Sequence, residues 1–319
     1  MLININDIWN SETQRNHTEF VRIVLSGRLP ARNPILNLLL LSHSEKLALA
    51  SPEGLRKIID DVQGWKNMFA PTVFEEFISD CKGPFDYGRF SSKSAKGWNA
   101  YALCKSSKYR MCPYCQQALA VTIYRDRDDK ALRPTLDHFY AKHAYPYLAL
   151  SLYNLVPCCH TCNSSLKGFA DFYRRPHLHP YEDKEVIRHS FDIQSYLERR
   201  KLGVENTPPS IEILPLRRSE VLYKPTKRFL NTFLIRERLL LNEPEIGRFI
   251  DILMTYSGAR IMEVNNKIFG DSPWRLSEAA TLQFSYADYK NEWMGRLKRD
   301  LYEAAWISDG RYRAAISIT

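Results

Sequence analysis

The sequence predicts an α+β protein, mainly α: a helical body carrying a compact metal-type module at its centre. Three observations carry this expectation. Apolar residues recur at helical spacing on both sides of the middle of the chain. Between residues 112 and 175 that periodicity gives way to prolines, cysteines and aromatics. Within that stretch, two Cys-x-x-Cys pairs stand 43 residues apart.

In chain order, residues 1–107 read as a helical N-terminal region. Pro34 to Leu41 is an apolar run that fits a buried helix. Ser51-Pro52-Glu53 has the form of an N-cap followed by proline in the first turn. Leu55, Ile58, Ile59, Val62 and Trp65 then repeat along one helix face. A second helix follows from Pro71 with Val73, Phe74, Phe77 and Ile78, closed by Gly83-Pro84. Residues 86–95 read as a loop and 96–107 as a short helix. In the central module, 108–180, Ala118 to Tyr124 fits a strand, Asp126 to Lys130 a charged turn, Thr135 to Tyr140 an extended piece, and Ser164 to Tyr173 the start of a helix. The C-terminal region, 181–319, opens with a strand over Val186 to Ile193 and a linker at 201–210. Long amphipathic helices over Thr226 to Leu241, Glu243 to Tyr256 and Leu276 to Trp306 complete it.

The 319 residues are 45% hydrophobic, enough to bury ordinary cores. No apolar stretch reaches the roughly 20 residues of a membrane span. The start lacks the basic and apolar regions of a secretory leader, so a soluble, cytoplasmic protein is expected. Net charge is +9. Residues 101–175 hold 11 Lys/Arg against 5 Asp/Glu, so the basic surplus and the cysteine pairs share one segment. A basic patch of this kind points to nucleic acid. Seven cysteines, an odd number, without a leader argue against a disulfide framework. Cys81 and Cys104 sit in apolar contexts and read as buried thiols.

Cys112-Pro-Tyr-Cys115 and Cys159-His-Thr-Cys162 are two knuckles whose thiols can share one tetrahedral Zn²⁺. The ion would staple the base of the module. Cys158 competes with Cys159 for the fourth place, and the two-residue spacing favours Cys159.

Between and after the knuckles lie Leu136-Asp137-His138-Phe139, Asn154-Leu-Val-Pro and Asn163-Ser-Ser-Leu-Lys167-Gly168. With the cysteine pairs, these motifs resemble the HNH (ββα-metal, His-Me finger) endonucleases over about residues 112–170. The resemblance implies a ββα-metal HNH module that hydrolyses phosphodiester bonds, of DNA rather than RNA. It implies His138 as the general base, Asp137 and Asn163 as ligands of a catalytic Mg²⁺ or Mn²⁺, and Asn154 as the residue that braces the loop and orients His138. The residue types suit this chemistry. A neutral imidazole accepts a proton near pH 7, and a hard cation prefers carboxylate and amide oxygens. Lys167 fits either a substrate phosphate or solvent. His143 and His160 are secondary candidates. His177 and His179, flanked by Pro176 and Pro180, read as a turn rather than a further metal site.

Aromatic and basic residues alternate around the motif: Tyr124, Arg125, Arg127 and Arg133, then Phe139, Tyr140 and Lys142, then Tyr173, Arg174 and Arg175. The tyrosines also fit a core and the arginines a solvated face. The overall layout looks like the HNH subunits of bacterial anti-phage systems such as Septu and retron-associated ones, where the nuclease pairs with an ATPase. This chain contains no G-x-x-x-x-G-K-[ST] loop, so an ATPase would be a separate, neighbouring-gene product. Two further readings use the same cysteines and charge: a non-catalytic zinc-dependent nucleic-acid binder and a zinc-stapled protein-interaction domain.

Overall fold

The computed structural model describes residues 2–124, 131–203, 211–213 and 220–307. The expected turn over Asp126 to Lys130, the linker from residue 204 onward, and Arg125 and Arg127 lie outside them. The chain divides into two compact units, one of Asn4–Tyr114 with Ala118–Lys184 and one of Met1–Ile3, Cys115–Gln117 and Glu185–Thr319. The N-terminal helices thus share a unit with most of the central module.

That first unit opens with α1 (Ser11–Leu25), which the sequence reading did not mark as a helix. Asn10 caps it by accepting from the Thr13 amide, and Thr13, His17 and Val21, four apart, form its buried edge. Helix α2 (Pro34–His43) starts at Asn33, whose side chain accepts from the Ile35 and Leu36 amides. Helix α3 (Pro52–Lys66) is capped by Ser51 and buries Leu55, Ile58, Ile59 and Val62. Helix α4 (Pro71–Asp80) follows. The expected loop at 86–95 contains a short helix, α5 (Tyr87–Ser91), because Asp86 caps the Arg89 amide and Phe90 packs inward. Helix α6 (Ala100–Lys105) is capped by Asn99.

The expected strand over Ala118 to Tyr124 is reduced to β1 (Ile123–Tyr124), paired with β2 (Ala131–Leu132). Upstream, only an isolated bridge joins Met111 to Leu119, since the knuckle turns the chain back on itself there. Strand β3 (Thr135–His138) runs antiparallel to β4 (Leu155–Cys158), with Asp137 opposite Val156 and His138 opposite Leu155. A π-helical turn, Thr161–Lys167, follows β4 directly. The helix expected from Ser164 to Tyr173 therefore starts earlier and stops at Gly168. That glycine holds φ +52°, a conformation that side chains disfavour, and its amide returns to the Asn163 carbonyl.

In the second unit, β5 (His189–Phe191) is shorter than the expected Val186 to Ile193 strand. After α7 (Ile193–Lys201) it pairs antiparallel with β6 (Ile211–Ile213). The single helix expected over Thr226 to Leu241 is two, α8 (Tyr223–Thr232) and α9 (Ile235–Leu241), split at left-handed Leu234. Phe233 and Ile235 are both fully buried. Two positions apart, they would point to opposite sides of one helix, so the break is what lets both reach the core. Helix α10 (Glu243–Thr255) matches expectation, and α11 (Gly258–Val264) follows. The long helix expected over Leu276 to Trp306 is divided into α12 (Glu278–Leu282) and α13 (Gly295–Tyr302), with left-handed Gln283 and Met294 at the breaks. Leu282 and Phe284 are both buried by the same device. At the start of α13 a β-carbon on Gly295 would lie 1.9 Å from the Tyr289 carbonyl oxygen, so only glycine fits. No helix among the described residues is long and apolar enough to cross a membrane.

Candidate metal centre and histidine site

The hairpin-like turn at 111–120 is closed by hydrogen bonds from the Cys112 amide to Ala118 and from the Ala120 amide to Arg110. It brings Cys112 and Cys115 beside the turn that carries Cys159 and Cys162. The four sulfurs lie within 4.8 Å of one another, all four are buried, and none is in a disulfide. A tetrahedral ion with Zn–S bonds of about 2.3 Å needs sulfurs roughly 3.8 Å apart, so the cluster fits zinc with small adjustment. The Gln117 amide points at Cys115 Sγ and the Cys162 amide at Cys159 Sγ, each at 3.4 Å. Such N–H donors favour the thiolate form that a metal requires. Cys158 lies outside the cluster, fully buried beside the Thr135 hydroxyl, and burial pushes its thiol well above the usual range. Cys81 and Cys104 are likewise buried thiols raised by desolvation.

His138 ends β3 half-buried, with the Tyr87 ring against it at 4.5 Å in an edge-on arrangement. Its Nε2 lies 3.1 Å from the Ala149 carbonyl and donates to it. That bond selects the Nε2–H tautomer and leaves Nδ1 as an acceptor without a partner among the described residues. Burial lowers its pKa to about 3, so the imidazole is neutral throughout the ordinary pH range.

The adjacent Asp137 points the other way, as alternation along a strand requires. It is 3% exposed. Its Oδ2 accepts from the Tyr114 hydroxyl at 2.6 Å and its Oδ1 from the Lys167 ammonium at 2.6 Å. Lys167 also donates to the His138 carbonyl and lies 4.8 Å from the centre of the Phe172 ring. Lys167 is therefore not the solvated lysine that one sequence reading allowed; it is buried and paired. A buried ammonium already stands beside Oδ1 of Asp137, so in this conformation a divalent cation there would meet the charge of Lys167. Asn163, half-buried in the π-turn, has a side chain free of hydrogen bonds among the described residues.

Asn154 is fully buried. Its Oδ1 accepts from the Tyr140 amide at 2.7 Å, and its Nδ2 donates to the carbonyls of Tyr140 and Leu148. The side chain thereby ties the turn after His138 to the segment whose next residue, Ala149, holds the imidazole. One residue further, the Leu150 carbonyl accepts from His17 Nε2, while Trp98 Nε1 donates to His17 Nδ1.

The other expected residues divide by burial. Phe139 and Tyr140 are core, Tyr173 bonds Asp60, and Arg133 donates to the Pro134 carbonyl and covers the Tyr101 ring. Lys142, Arg174 and Arg175 are exposed, as are His143 and His160. His177 stacks on Phe172 at 3.8 Å and His179 lies 3.9 Å from the Phe139 ring; both are buried, in keeping with a structural role. Sequence reasoning missed Tyr114 and Tyr87. The first sits inside a knuckle, where the turn between Cys112 and Cys115 sets its direction; the second lies on α5, in the stretch expected to be a loop.

No protein-family model, curated protein or solved structure matches this chain.

Proposed function

We propose that the Cys112–Lys167 segment is a zinc-stapled HNH endonuclease module hydrolysing phosphodiester bonds of DNA, and that it serves as the nuclease component of a bacterial anti-phage system. The observation that carries this reading is the orientation of His138: Nε2 tied to a backbone carbonyl, Nδ1 without a partner among the described residues, and the carbonyl's segment clamped by a fully buried Asn154. A strand pair followed at once by a helical turn supports it as well.

In the proposed step His138 Nδ1 takes a proton from water. The water oxygen attacks phosphorus, and the bond to the leaving oxygen breaks as that oxygen is protonated from solvent. A phosphate beside the ring would raise the imidazole's basicity from its depressed resting value. Four thiolates would hold the structural zinc that fixes the base of β3 and β4. A catalytic Mg²⁺ or Mn²⁺ at Asp137 and Asn163 belongs to the proposal and requires the Lys167 ammonium to leave Asp137. An ATPase encoded nearby is the proposed partner.

The test is digestion of plasmid, single-stranded DNA and RNA by zinc-loaded protein with added Mg²⁺ or Mn²⁺, against chelator and against His138→Ala. Cleavage that needs metal and is lost in His138→Ala, with zinc content intact, is expected. Unchanged cleavage by that variant refutes the mechanism. The closed state of Asp137 favours a second reading, a zinc-dependent module that binds nucleic acid or protein without catalysis; it predicts no cleavage under any metal.

A further inference from the structure

A cleft of about 1250 Å³ opens in the first unit between α1, the turn after it, and residues 83–98. Its floor is aromatic. Phe20 and the buried Phe90 are 5.1 Å apart, and Trp98 lies alongside, its indole held by His17. Phe20 and Trp98 are partly exposed and line the cleft.

The rim is basic. Arg28, Arg89 and Lys96 line it and are exposed, and none forms an ion pair among the described residues. One of the two acids of the cleft is neutralised. Glu19 is held in a fork by Arg22 at 2.6 and 2.7 Å, and Asp86 caps the Arg89 amide at 3.0 Å. Asp86 keeps its charge, so Arg28, Arg89 and Lys96 stand against one uncompensated carboxylate and the net charge of the cleft is positive.

The cleft and His138 share a wall. Helix α5 presses Tyr87 against the His138 ring and turns Arg89 and Phe90 into the cleft. Leu150 lines the cleft, and its neighbour Ala149 orients His138.

We infer that this cleft seats single-stranded nucleic acid, with unpaired bases against Phe20 and Trp98 and phosphates on Arg28, Arg89 and Lys96. The inference rests on the nuclease reading and deepens it by naming the form of the substrate. A cationic groove with aromatic platforms binds strands whose base faces are free. A duplex hides those faces and would engage only the rim.

The experiment uses zinc-loaded full-length protein without added divalent cation and a fluorescein-labelled thymidine oligomer of about ten nucleotides, read by anisotropy over a salt series. The combined variant Arg28→Ala/Arg89→Ala/Lys96→Ala alters exposed side chains only. It is expected to bind at least about tenfold more weakly and to reduce the slope of log K against log salt by about 2, near 0.7 per phosphate contact. Phe20→Ala is expected to lose roughly five- to a hundredfold in affinity with the slope unchanged. The same sequence as a duplex is expected to bind more weakly than the single strand.

Unchanged affinity and slope in the triple variant overturn the inference, as does equal binding of duplex and single strand. If the triple variant binds the oligomer normally while His138-dependent cleavage persists, the cleft assignment fails and the nuclease reading stands. If binding follows the cleft residues but no metal supports cleavage, the nuclease reading fails and the cleft assignment stands.

Discussion

Replacing Lys167 with Met tests whether the Asp137–Lys167 pair is a closed structural unit. The substitution keeps the length of the aliphatic stem but removes the ammonium. Asp137 and Lys167 are 3% and 4% exposed, so water cannot take over the lost contacts. The carboxylate would keep only the Tyr114 hydroxyl, and the His138 carbonyl would lose its donor. Removing one partner of a buried pair costs about 3–5 kcal/mol. The surviving Tyr114 bond argues for the lower end, about 3 kcal/mol. Asp137→Asn strands the ammonium in the same way and is expected to cost a similar amount. Lys167→Met/Asp137→Asn removes both charges, so its cost is expected to fall short of the sum of the singles by at least about 2 kcal/mol. The assay is urea unfolding of zinc-loaded protein at neutral pH, with the slope m compared across the set to confirm a common unfolded state. A loss under about 1 kcal/mol in Lys167→Met, or strict additivity in the double variant, would show that the pair does not hold the site closed.

Other outcomes follow from the same geometry. Cys112→Ser or Cys159→Ser is expected to lose stoichiometric zinc by elemental analysis and to unfold the module, since structural zinc contributes about 10–16 kcal/mol in isolated peptides; Cys158→Ser should keep its zinc, and full zinc loading of the Cys112/Cys159 double variant would sink the assignment. His17 is fully buried with a pKa lowered to about 4, chiefly by desolvation, and its ring is fixed as Nε2–H by Leu150 and Trp98. Its native state stays neutral where the unfolded chain binds a proton, so the stability it contributes is present above pH 6.5 and is lost as pH falls toward 4. The total is about 3 kcal/mol, and thermal melts across that window should be flatter in His17→Gln.

Much of the helical layout was legible locally. Ser51-Pro52 and Asn33-Pro34 are helix starts because a side-chain oxygen caps free amides and proline suits the first turn. The breaks at Leu234 and Gln283 were not legible. Each is decided by which neighbours must enter the core, and local periodicity continues through both positions. Helix α5 was hidden for the same reason: Gly, Ser and Lys around it suggest a loop, and only Asp86 and the burial of Phe90 make it a helix.

The site divides along the same line. Short-range spacing pointed to the candidate cysteine cluster, including Cys159 over Cys158, because two intervening residues are what one turn around a metal allows. The hydrogen bonds of Asn154 are likewise short-range, to partners within 14 residues of it. Tertiary structure alone decided the state of Asp137. Alternation along β3 sends it inward while His138 faces the other way, and the cation that meets it comes from Lys167, 30 residues further along the chain. Burial of both groups, which no local pattern encodes, is what turns a motif aspartate into a closed ion pair.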